Sequence, residues 1–236
     1  MQARHKELLQ KYRTLVGQVK LSHERNVQTG SAQGHDFYHV LRVAHCCLEI
    51  AEDDVTAELA WVASIVHNAD RLYPHLSEKT LEEYLYHLLE TADLNGNEKL
   101  LVVTAVLNHS KRNNSEEGAV TICLKDADKV VNLEADVILR AALCRATLPM
   151  FDPRYTQGEA DSAATYKNPR SMFRSLEYVL EWVDEEKGWF RLPKARALAE
   201  NRAEFIRYFL TVWTEQLERS GMLAPNFPEN LIANVP

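Results

Sequence analysis

Three observations predict an all-α bundle. Apolar residues recur at helical spacing along nearly the whole chain. The interruptions between those stretches are rich in glycine, proline or small polar residues. The one run branched enough to pass for a strand, VVTAV at 102–106, has helical flanks and no partner strand in sequence. With 46% hydrophobic residues over 236 positions, the chain can fill one sizeable core, and the expectation is a single all-helical domain over 1–236.

The elements follow in order. Residues 3–28 place Leu8, Leu9, Tyr12, Leu15, Val16 and Val19 on one helical stripe, and TGSAQG at 29–34 breaks it. A helix from about His35 to Glu52 turns Phe37, Val40, Leu41, Ala44 and Leu48 inward. The next, Val55 to Asn68, is apolar on most sides, as a central helix should be. Pro74 marks a loop, Ser77 reads as an N-cap for SEKTLEEYLYHLLE, and NGNEK opens the helix that contains VVTAV. SKRNNSEEG at 110–118 is a polar loop, followed by helices at 119–131 and 133–147. Residues 148–169 hold three prolines and little periodicity, which suits a lid or binding loop. Helices at about 170–186 and 194–219 precede a proline-rich tail.

Composition narrows the function. A formal charge of −7 supplies no basic field for phosphates along a nucleic acid. The cysteines, Cys46, Cys47, Cys123 and Cys144, form no CxxC pair and read as packed thiols in a reducing, cytoplasmic setting. The charged start lacks an apolar signal region, and no apolar run approaches the ~20 residues a membrane span needs. The amphipathic helices at both ends are either plain core or a surface for a homodimer.

The residues that carry chemistry lie on three separate helical stretches: GHDFYHVLRV (34–43), SIVHNADRL (64–72) and LKDADKV (124–130). His35 and Asp36 lie four and three residues before His39, and Arg42 three after it, so each shares a face with His39; a solvated N-terminal cap is the plain alternative. His67 ends a strongly apolar helix, where a titrating group costs free energy unless bonded, and Asp70 and Arg71 follow at i+3 and i+4. Asp126 and Asp128 are two apart, so only one can face a given site, and Lys125 and Lys129 can neutralise the other. Only folding can bring these groups together.

In this order and spacing they resemble the HD superfamily of metal-dependent phosphohydrolases, whose pattern is a His, a His-Asp doublet and a distant Asp on helices of one bundle. His39 in HVLRV matches the first ligand, His67 the doublet His, Asp128 in DADKV the last Asp, and His109 in VLNHS an extra His of many members. GHDFYHVLRV, LEADVILRAA, YKNPRSMFRSLEYVLEW and ARALAENRAEFIRYFLTVWTEQL are similar to a small stand-alone bacterial branch, over roughly residues 34–217. The resemblance implies an HD-domain helical bundle, with core at about 34–147 and a C-terminal helical extension. It also implies a divalent ion (Mn, Mg, Fe or Ni) on His39, His67 and Asp128, and hydrolysis of a phosphate ester of a nucleotide or related small molecule. Arg42, Lys111, Arg112 and Lys129 are then candidates for the phosphate. His109, Asp70 and Arg42 are candidates for catalysis.

The sequence departs from the family at the doublet, which is His67-Asn68. An amide oxygen can ligate, but it is uncharged and cannot act as a base. On an unbroken helix, residues 68 and 70 lie about 100° and about 60° to opposite sides of residue 67, so Asp70 can enter the site only from the opposite flank of His67, with the metal shifted. Asp36 is another candidate substitute. Two readings stay open: an HD-type phosphohydrolase, or a degenerate HD fold that binds a nucleotide or metabolite without hydrolysis.

Overall fold

The computed structural model describes residues 2–29, 35–152, 165 and 168–223. Eleven α-helices run through them: α1 (Gln2–Lys11), α2 (Arg13–Thr29), α3 (Phe37–Ile50), α4 (Asp54–Val66), α5 (Ala69–Leu72), α6 (Glu78–Leu88), α7 (Gly96–Asn108), α8 (Ala119–Val131), α9 (Val137–Cys144), α10 (Met172–Leu180) and α11 (Pro193–Arg219). No strand occurs among the described residues.

Local chemistry sets most helix starts. The side chains of Asp36, Asp53, Ser77 and Ser171 each accept the backbone N–H three residues on, opening α3, α4, α6 and α10. Asn95 and Glu98 form a capping box at α7. Pro193 occupies the first turn of α11, where its missing N–H costs nothing. Gly188, at φ 59°, ends a short 3-10 turn in the left-handed region that suits glycine.

The centre of the bundle is α3 packed on α4 and α8, with α7 closing on α4 and α8. Its apolar mass comes from Val40, Val43, Trp61, Val62, Ile65, Leu124 and Val130, all fully buried. α1 and α2 lie against α3, and Tyr12 between them stacks on Trp61 of α4 with ring centroids 5.8 Å apart. Glu58 on α4 receives Arg4, Lys11 and the Tyr12 hydroxyl, which holds α1 down. α11 packs on α8 and α10 through Ala195, Ala199, Ala203 and Ile206, so the stripes of the end helices are core within the chain. Of the cysteines, Cys46, Cys47 and Cys123 are buried and Cys144 is exposed.

Several boundaries differ from the sequence reading. The helix expected over 3–28 pauses at Tyr12, although the i→i−4 bonds Tyr12 to Leu8 and Val16 to Tyr12 carry through it. The helix expected over 133–147 is only Val137–Cys144, and the one over 170–186 stops at Leu180 and continues as 3-10 turns. Helix α5 was not foreseen: the chain turns at His67-Asn68 before resuming, so the wheel that compared residues 68 and 70 does not run through. Most of TGSAQG, most of the 148–169 loop and the tail from 224 lie outside the described residues.

Candidate metal centre

His39 stands on the first turn of α3, His67 caps the C-terminus of α4, and Asp128 lies on α8. Because these three helices pack together, one ligand atom from each falls within 4.8 Å of the others. Asp128 Oδ1 is 3.2 Å from His39 Nε2 and 3.9 Å from His67 Nε2. The imidazoles are 0% and 1% exposed and Asp128 is 23%, so solvent reaches the group at the carboxylate.

Four histidines form a row. Ring centroids are 5.7 Å apart for His35 and His39, 5.5 Å for His39 and His67, and 5.4 Å for His67 and His109. His67 Nδ1 donates to the Ser64 carbonyl at 2.7 Å and His109 Nδ1 to the Val106 carbonyl at 2.6 Å, which leaves both Nε2 lone pairs free. Burial holds His67 well below the usual imidazole range despite Asp128, and His109 and His39 push the same way. Burial and His39 lower His35 to about 4. Burial raises the Asp128 carboxyl, but His39, His67 and His109 outweigh it and hold the group well below the usual carboxylate range.

The residues fit a divalent metal ion. His67 Nε2 is buried without a hydrogen-bond partner, a cost in a bundle this well packed unless something takes it up, and His39 Nε2 meets only Asp128 Oδ1, at 3.2 Å. Two imidazole nitrogens and a carboxylate suit a divalent transition metal.

Residues 36–133, which contain all three candidate ligands, match the family model of the HD domain. The bundle has the HD-domain fold. Two crystal structures are similar to it along most of their length. A structural-genomics target from Lactobacillus plantarum gives a TM-score of 0.64 at 14% identity, covering 87% of this chain and 98% of its own. Bacillus subtilis YpgQ, in complex with ADP, gives 0.58 at 20% identity, covering 92% and 100%. No curated protein matches the chain.

Other residues named from sequence lie variously around this site. Asn68 is buried beside His67, with its amide nitrogen unpartnered. Asp70 faces Arg71 at 3.6 Å through Oδ2, while its Oδ1 is buried without a partner. Asp36 caps α3, its Oδ1 accepting the His39 N–H at 2.7 Å. Of the α8 aspartates, Asp128 faces the histidines, and Asp126 accepts the Arg191 and Leu192 N–H groups at 2.8 Å each. Arg42 is engaged elsewhere, bonded to Glu134 at 2.8 Å and Asp136 at 2.6 Å. Lys111 is exposed and 3.4 Å from Glu78, and Arg112 is exposed on the same loop. Lys129 lies over the Trp189 ring at 5.8 Å, and burial lowers its pKa. Lys125 does not neutralise an aspartate; it is fully buried against Glu117 at 2.5 Å.

Sequence reasoning missed Arg140 and Asn132. Asn132 Nδ2 donates to Asp128 Oδ1 at 3.0 Å, and Arg140 contacts His39 Nδ1 at 2.9 Å. Asn132 was findable, since it sits at i+4 from Asp128 on the same helix face. Arg140 carried no local signal, being 101 residues from His39.

Proposed function

We propose that this protein is a metal-dependent phosphohydrolase acting on a phosphate ester of a nucleotide or related small molecule. The observation that carries the reading is the convergence of His39, His67 and Asp128 from three helices within 4.8 Å. The HD-domain match supports it, and the ADP bound by the similar YpgQ supports a nucleotide-like ligand. The reading treats residues 1–236 as one domain, which the packing of α11 on α8 favours.

In this reading His39 Nε2, His67 Nε2 and Asp128 hold the ion, and the Asn68 amide oxygen is available as a further neutral donor. A bound divalent ion supplies Lewis acidity toward a phosphoryl oxygen and acidifies a coordinated water. His109, its Nδ1 proton committed to Val106, presents a neutral Nε2 beside His67 that can accept a hydrogen bond or a proton. Lys129 is the candidate cation on the ligand-bearing helix, one residue from Asp128. Lys111 and Arg112 extend the phosphate set only on an exposed loop, and Arg42 joins it only by leaving two carboxylates.

A second reading, nucleotide binding without hydrolysis, is favoured by one residue: Asn68 cannot serve as a base where the family has a carboxylate. One experiment separates the two. Metal content by elemental mass spectrometry is paired with turnover of nucleoside mono-, di- and triphosphates in Mn²⁺. Bound metal with turnover lost in Asp128→Ala supports hydrolysis. Thermal stabilisation by nucleotide with no turnover, even after Asn68→Asp, supports the binder. Full metal occupancy in Asp128→Ala sinks the site.

A further inference from the structure

Four side chains close a ring on the atoms an ion would take. Arg140 Nη1 lies 2.9 Å from His39 Nδ1, and Arg140 Nη2 donates to Asn132 Oδ1. Asn132 Nδ2 donates to Asp128 Oδ1 at 3.0 Å, and that same oxygen contacts His39 Nε2 at 3.2 Å. Chemistry fixes the polarity of the ring, because a guanidinium only donates. His39 Nδ1 is therefore the acceptor, and the imidazole proton sits on Nε2, facing Asp128. A turned imidazole would set a C–H against Arg140 and remove its acceptor. Arg140 is well held: it is 12% exposed, and its Nε is 3.5 Å from Asp136 at the N-cap of α9.

A histidine that ligates through Nε2 needs the lone pair there and the proton on Nδ1, facing an acceptor. His67 and His109 meet this demand through the Ser64 and Val106 carbonyls. His39 alone has a donor against its Nδ1. An Nδ1–H and a guanidinium N–H cannot face each other across 2.9 Å.

Building on the metal reading above, we infer that Arg140 competes with the metal ion for His39. Ligation at His39 Nε2 moves the neutral imidazole's proton from Nε2 to Nδ1 through solvent, with no net release from that ring. It breaks the Arg140 contact, whereas Asp128 can keep its bond from Asn132. Arg140 thus satisfies the metal-free form and lowers the affinity of the loaded one, in the same direction as the charge missing at Asn68. It is a positioning residue, acting through His39.

The test is Co²⁺ titration of the metal-depleted full chain, read by calorimetry and visible absorption, for the wild type, Arg140→Met and Asp128→Ala. Arg140→Met should bind about tenfold more tightly than the wild type, the scale on which partners of ligands tune affinity, and Asp128→Ala should not bind. Equal affinity in the wild type and Arg140→Met, with binding lost in Asp128→Ala, keeps the site and overturns the role of Arg140. Undiminished binding in Asp128→Ala overturns the site and the inference with it. A measurement on the wild type alone does not depend on a variant folding: long-range ¹H–¹⁵N NMR of the metal-free protein should place the His39 proton on Nε2. A proton on Nδ1 overturns the inference.

Discussion

At Asn68 the backbone sits at φ −82°, ψ 11°, between the end of α4 and the start of α5, with the side chain buried and its amide nitrogen unpartnered. Nothing in that geometry requires an amide, so Asn68→Asp should fold and add a charged donor beside His67. Metal affinity should rise by about tenfold or more, as ligand charge count sets affinity for divalent ions. Calorimetric titration with Mn²⁺ reads this, and a fall in affinity would show a site built around the amide. A second residue-scale case lies away from the site. Lys125 and Glu117 are 0% and 5% exposed and 2.5 Å apart, with Arg191 also on Glu117. Glu117→Ala strands a buried ammonium and should cost about 3–5 kcal/mol in urea unfolding. A loss under 1 kcal/mol would mean that the lysine finds water.

Helix α8 divides its labour between two carboxylates two residues apart. Asp128 turns to the histidines; Asp126 turns the other way and ties down the two N–H groups just before α11. Burial raises the Asp126 pKa, and the backbone bonds work against that rise. Asp126→Ala should therefore loosen α11 and cost about 2–4 kcal/mol, since two buried donors lose their acceptor, while stoichiometric metal binding persists. Loss of metal with stability intact would reverse the assignment of the two aspartates. At α7 the capping box is exposed and separable from the site. Asn95→Ala should cost about 1 kcal/mol in a thermal or urea melt and leave metal binding unchanged.

For the whole molecule, buried histidines with lowered pKa values make stability fall in acid. His35 titrates near 4 in the folded chain and near the ordinary 6.5 when unfolded, so below about pH 6.5 the unfolded state takes up the proton first. His67 is depressed in the same direction. Their contribution is fully present above pH 6.5 and is lost as pH falls toward 4. Asp128, held below its ordinary value, loses its contribution at lower pH still. Urea midpoints should drop steadily from pH 7 to pH 4, and His35→Gln should flatten that slope; a flat wild-type profile would contradict the burial of these rings.

Helix content, the cap at Ser77, the helix start at NGNEK and the helical reading of VVTAV were legible because they rest on side chains within a few residues of one another. The triad His39, His67 and Asp128 could be named from its order along the chain, and the sequence by itself determined that these three belong to helices with apolar inner faces. Only the tertiary structure decided which aspartate faces the histidines. It alone committed Arg42 to Glu134 and Asp136, 92 and 94 residues away, and set Arg140 against His39. The reason is physical. A helix repeats every 3.6 residues or so, and sequence reports that period. The partner a charged side chain meets across a helix interface depends on how the helices dock, and no local pattern encodes that.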